Sequence, residues 1–135
     1  IGFILGQWVL PRKLGTLFAA ETGFLIKRRP DTVLAADVAF VADDRGQGQD
    51  DTGYYPFAPD LAVEVASPGQ TPKAMAKKAR QWLTGGARLV WIVYPEAQQM
   101  EVWRPGSATR ILAASDALDG ADVLPGFTCQ VGEFF

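Results

Sequence analysis

The 135-residue chain contains no histidine and a single cysteine, Cys129. The first absence excludes a Ser-His-Asp or Cys-His catalytic centre, histidine-ligated zinc, and hydrolysis with imidazole as general base. Carboxylates and lysines must therefore carry any acid–base chemistry. The second absence excludes an internal disulfide and a multi-cysteine metal site, and it fits a reducing cytoplasm. No stretch approaches the roughly 20 consecutive apolar residues of a membrane helix, so a soluble, cytoplasmic protein without a membrane partner is expected. An excess of one charge is also missing. With 13 Lys and Arg against 15 Asp and Glu the net charge is −2, and any grip on a polyanion must be local.

What remains is 48% hydrophobic and 21% charged, the proportions of one domain that buries its own core, here residues 1–135. The apolar opening has neither the basic start nor the cleavage site of a leader peptide. Ile1, Ile4, Leu5 and Trp8 share one helical face, and Pro11 and Gly15 place the helix end near Leu10. This helix reads as truncated at its start. Residues 17–21 and 23–27 flank Thr22-Gly23 and read as an antiparallel pair ending in Lys27-Arg28-Arg29. Residues 36–41 form an apolar strand with Asp37 at its mouth. Residues 42–59 are polar and irregular. Asp43, Asp44, Asp50 and Asp51 there lack the spacing and closing glutamate of a calcium loop, so a solvated loop without metal is expected.

Residues 60–66 alternate as a strand, with Asp60, Ala62, Glu64 and Ala66 on one face and Leu61, Val63 and Val65 on the other. Thr71-Pro72 then supplies an N-cap followed by proline at the first helical position, starting a helix that runs to about Thr84. Residues 89–93 are continuously apolar, as in a strand covered on both faces, with residues 98–104 as its hairpin partner. Residues 110–113 and 127–131 read as further short strands. The order implies an α/β or α+β fold with its helices packed on one sheet.

Three ionisable residues interrupt or border this apolar pattern: Asp37, Glu64 and Lys78. A carboxylate in a β-core needs a cation, a hydrogen-bond donor or a proton. If the two strands are neighbours, a spacing of about 4.8 Å lets both acids reach one Mg²⁺, a hard ion that takes oxygen ligands. On the helix, at about 100° per residue, Met75, Ala79, Trp82 and Leu83 form the apolar stripe. Lys73 and Lys77 lie nearly opposite, whereas Lys78 flanks the stripe and can carry its ammonium along it.

The segments Ala36-Asp37-Val38-Ala39-Phe40-Val41 and Pro59-Asp60-Leu61-Ala62-Val63-Glu64-Val65-Ala66-Ser67-Pro68, followed by Lys78 four residues before Trp82 and by Val90-Trp91-Ile92-Val93-Tyr94-Pro95, form an ordered set. Together with Leu124-Pro125-Gly126-Phe127 near the end of the chain, they resemble the Uma family of restriction endonucleases, a branch of the PD-(D/E)XK nuclease superfamily. The resemblance implies a restriction-endonuclease-like core, a mixed central sheet flanked by helices. It implies Asp37 and Glu64 as ligands of Mg²⁺ or Mn²⁺ and Lys78 as the catalytic amine. In the wider superfamily the lysine lies two residues after the second acid, where this chain has Ala66. In this branch it has moved to the helix. The chain also departs from the family at Ala36, Ala74 and Tyr94, where a proline and two aspartates are usual. Glu21 matches an accessory upstream acid, and Asp60 shares a face with Glu64 from about 13 Å along the strand.

The expected function is metal-dependent phosphodiester hydrolysis of DNA. Lys27, Arg28 and Arg29 would contact the backbone, with Arg12 and Lys13 near them in sequence. The alternative is a non-catalytic interaction module in which the same three residues form a buried ionic cluster. A homodimer is a further expectation, with Trp82, Trp91 and Trp103 as candidate interface residues, the first two of which core packing claims first.

Overall fold

The computed structural model describes residues 1–43 and 53–135. Of the polar loop, Asp44, Asp50 and Asp51 lie outside the described residues. Helix α1 (Gly2–Arg12) is followed by strands β1 (Gly15–Phe18), β2 (Phe24–Lys27), β3 (Thr32–Leu34), β4 (Val38–Ala42) and β5 (Leu61–Val65). Next come helix α2 (Pro72–Thr84) and strands β6 (Leu89–Tyr94), β7 (Gln99–Trp103), β8 (Arg110–Ala113), β9 (Ala117–Asp119) and β10 (Thr128–Gln130). A short 3-10 helix (Val131–Phe134) follows β10.

Six strands form the central sheet in the order β1-β4-β5-β6-β7-β8. Within it only β5 and β6 run parallel, joined across α2, so the sheet is mixed. The expectation of a mixed sheet flanked by helices holds. Both helices pack on this one sheet, as expected, one on each face. Leu5 and Val9 of α1 join Leu61, Val63, Trp91 and Val93 in one core, which Leu118, Phe127 and Val131 close from the C-terminal segment. Met75, Ala79 and Trp82 of α2 join Ala39, Ala62, Val90 and Ile92 in the other. Strict alternation along β5 and β6 feeds both cores, which is why β6 reads as an unbroken apolar run.

The expected pairing of residues 17–21 with 23–27 does not form. β1 pairs with β4 at the sheet edge, while β2 pairs with β3 as a separate hairpin on the α2 side. Gly23, read as a turn residue, sits where a Cβ would come 2.7 Å from the Tyr54 ring and 2.9 Å from Val33. Its need is close approach. Helix α1 continues two residues past Leu10, with Pro11 in its last turn and Lys13 closing it in the left-handed region at φ 53°. Helix α2 begins as read: the Thr71 hydroxyl accepts from Ala74 N at 3.1 Å, and Pro72 takes the first turn.

Candidate active site

The register of β4 on β5 pairs Val38 with Val63 and Phe40 with Leu61. Continued outward by one residue, it sets Asp37 opposite Glu64, with Cβ atoms about 5 Å apart for such cross-strand neighbours. Alternation puts both on the α2 side, because Ala39 and Ala62, the next residues on the same face of each strand, belong to that core. The pair is locked by a backbone donor, Val65 N to Asp37 Oδ2 at 2.7 Å. Two acids far apart in sequence thus stand side by side where the parallel strands end, the end at which open α/β sheets bind ligands.

Glu64 is 6% exposed. Its Oε2 accepts from Trp82 Nε1 at 2.8 Å, a hydrogen bond delivered by α2 one turn beyond Lys78. Burial pushes the carboxyl above its ordinary pKa. The Trp82 donor and the Lys78 ammonium oppose that shift, and the Asp37 carboxylate adds to it. Lys78 and Asp37 therefore both lie within electrostatic reach of Glu64. Lys78 is half-buried while Lys73 and Lys77 are exposed, the distribution expected from the helical stripe.

The donor set suits a hard divalent ion. Hydrogen bonds engage Asp37 Oδ2 and Glu64 Oε2, which leaves Oδ1 and Oε1 of the pair without a protein partner among the described residues. One or two carboxylates completed by water is the usual protein contribution to Mg²⁺. Among the described residues no group of three or more carboxylate, histidine or cysteine side chains converges on one point. Glu21 lies in the exposed turn after β1, beyond that constellation.

Asp60 provides a contrast within the same strand face. It is fully buried, yet Oδ2 accepts from Ala42 N at 2.7 Å and Oδ1 faces Arg88 Nη1 at 3.4 Å. Its carbonyl also accepts from Arg88 N and Leu89 N. Asp60 thus ties β4, β5 and β6 together at the end remote from Glu64. Lys27, Arg28 and Arg29 are exposed at the tip of the β2–β3 hairpin, on the α2 side. Arg12 and Lys13 do not join them. They end α1 on the opposite face, where the Arg12 guanidinium stacks 3.3 Å above the Trp8 ring.

One residue has a role at the site that the sequence reading did not give it. Trp82 reads as core, and it is core, but a buried indole N–H needs an acceptor, and the nearest core acid by pattern is Glu64. Glu101 continues the cross-strand row Glu64–Ile92–Glu101 on the same face. Two strand spacings, about 10 Å, separate it from Glu64, too far to share an ion. It accepts from Trp103 Nε1 at 3.0 Å, and it helps push the Tyr94 hydroxyl, already raised by burial, up to about 12. Trp82 and Trp91 are fully buried and form no interface.

The model of the Uma2 family, described as "Putative restriction endonuclease", matches residues 1–132. A solved structure from Anabaena variabilis, described as "a putative nuclease belonging to DUF820", matches 98% of this chain and 74% of its own. Its TM-score is 0.82 at 18% sequence identity, a likeness of fold. No curated protein matches the chain. Among the described residues no helix is long and apolar enough to cross a membrane.

Proposed function

The chain belongs to the Uma2 restriction-endonuclease family, and from that premise we propose that it hydrolyses phosphodiester bonds of DNA at Asp37, Glu64 and Lys78 with a divalent cation. The observation that carries this reading is the difference between the two buried acids of the β5 segment. Both oxygens of Asp60 are engaged by protein donors, as a structural acid requires. Glu64 is engaged only through Oε2, beside a second carboxylate, and burial raises its pKa. An arrangement that disfavours its own charge is stabilised by a cation from outside.

Asp37 and Glu64 would hold Mg²⁺ or Mn²⁺ through Oδ1 and Oε1. Bound there, the ion supplies neutralisation of the phosphate and a lower pKa for the attacking water. The Val65 amide fixes the Asp37 carboxylate, and the Trp82 indole fixes that of Glu64, so neither must reorient on binding. Lys78 places its ammonium where negative charge develops on the phosphoryl oxygens as water attacks phosphorus and the ester oxygen departs. Its half-buried stem limits the positions it can adopt.

Nicking of supercoiled plasmid with Mg²⁺, and with EDTA in its place, tests the proposal. Cleavage by the wild type that EDTA and Glu64→Gln each abolish supports it. An intact plasmid under all conditions, with no cation binding, returns the cluster to a structural ionic group and favours the interaction-module reading.

A further inference from the structure

A cleft of about 480 Å³ separates α2 from the β2–β3 hairpin. Lys27 and Thr32 line it from the hairpin, and Lys77, Arg80, Gln81 and Thr84 line it from the helix. Among the described residues no carboxylate lines it. Lys27, Lys77 and Arg80 are exposed, and the ion pairs among the described residues are made by Arg88 elsewhere. An adjoining hollow of about 320 Å³ shares Lys27 with the cleft and adds Arg28. In a chain of net charge −2, this is a local concentration of cations with no ion-pair partners among the described residues. The nearest acid in sequence, Asp31, is exposed in the hairpin turn and does not line the cleft.

The cleft is built into the backbone. Gly85 ends α2 against β2, where a Cβ would come 2.6 Å from Ile26 Cβ and 3.1 Å from Ile26 O. Its φ of −76° suits any residue, so glycine serves here to let the helix end meet the strand and close the cleft floor. The cleft opens on the exposed side of α2, and its lining includes Lys77, the residue before Lys78. Around the helix, Lys78 flanks the buried stripe, and Gln81, Lys77, Thr84 and Arg80 follow it in that order across the exposed side. From Lys77 to Thr84 the helix rises about 10 Å, so the cleft starts one residue before Lys78 in the chain and runs toward the helix C-terminus.

Three cations, two hydroxyls and an amide suit phosphate oxygens. With no aromatic side chain in the walls to stack a base, the cleft can position a strand without reading its sequence. We infer that this cleft is a track for the sugar–phosphate backbone of the nucleic-acid substrate, holding the phosphates on one side of the bond cleaved at Asp37, Glu64 and Lys78. The inference rests on the nuclease reading of that site, and it adds a binding surface distinct from the residues of the reaction.

The test is the salt dependence of binding to a short fluorescein-labelled DNA duplex, read by anisotropy without divalent cations. The protein is the wild type and the triple variant Lys27→Gln, Lys77→Gln, Arg80→Gln. Removing one cation from a phosphate makes the slope of log K against log salt shallower by about 0.9, so the triple variant is shallower by about 2.7. Arg104→Gln with Arg110→Gln, remote from the cleft, leaves the slope unchanged, and thermal melting verifies that each variant is folded. An unchanged slope in the triple variant, an equal flattening in the remote variant, or absence of wild-type binding overturns the track. Metal-dependent cleavage with an unchanged slope overturns the track alone. A flattened slope in a protein that never cleaves supports the track and overturns hydrolysis.

Discussion

Glu64→Gln exchanges one oxygen for an amide nitrogen and keeps the side-chain shape. The amide oxygen can still accept from Trp82 Nε1, so the hydrogen bond survives and only the buried charge is removed. Removing a charge that burial disfavours stabilises the fold at a pH where that charge would otherwise be present. Trp82 and Lys78 already offset part of the cost at Glu64, so the gain is small, and each ~1 kcal/mol of it reads as about 4 °C in Tm for a chain this long. The pH dependence follows from the direction of the shift. A carboxyl whose folded pKa lies above its ordinary 4.5 binds its proton more tightly in the folded state. Its contribution is fully present below the unfolded value and is lost as pH rises through the folded one. Wild type and variant should therefore melt together near pH 4, and the variant should melt higher at neutral pH. Added Mg²⁺ should narrow the neutral gap by stabilising only the wild type. Scanning calorimetry across pH reads all three effects. A variant that is less stable at neutral pH, or a gap that does not change with pH, would refute the claim that Glu64 is held at a cost.

Trp82→Phe removes the indole donor to Glu64 and should cost about 2–3 kcal/mol in urea unfolding, a loss reduced when Glu64→Gln is already present. Equal costs in both backgrounds would show the indole and the carboxylate to be uncoupled. Asp60→Ala strands the Ala42 amide and takes from Arg88 its buried partner, and should cost about 3 kcal/mol while leaving Mn²⁺ affinity intact. A fall in Mn²⁺ affinity in that folded variant would instead give Asp60 a place in the site. Burial, with a smaller contribution from Glu133, pushes the Cys129 thiol up to about 11, so it should react with a thiol reagent at pH 8 far more slowly than a free cysteine. Reaction as fast as that of a small thiol would contradict its packing.

The β5–α2–β6 unit was legible because its signals are local: a cap, a following proline, and apolar runs bounded by glycine and proline. So was the placing of Lys78 beside the helical stripe. The pairing of β1 and β2 was not. Each strand is four residues long, and the Thr22-Gly23 signal favours a hairpin, but Leu17 and Phe18 find Phe40 and Ala39, more than twenty residues away, as partners. Local turn chemistry lost to a long-range pairing that alternation alone does not reveal. For the same reason the two acids could be placed on one sheet face only conditionally, since a register slip of one residue would have turned Asp37 away from Glu64. The cationic cleft was half visible, as Lys27 and Arg28. Lys77 and Arg80 read as solvent-facing residues, and only the fold sets them across from the hairpin.

The central claim is that Asp37 and Glu64 form a single cation site, and anomalous diffraction from crystals soaked in Mn²⁺ tests it most directly. The account predicts one peak within ligand distance of both the Asp37 and the Glu64 carboxylate, absent in Glu64→Gln crystals. A peak elsewhere, or none at Mn²⁺ concentrations that support cleavage, would contradict it.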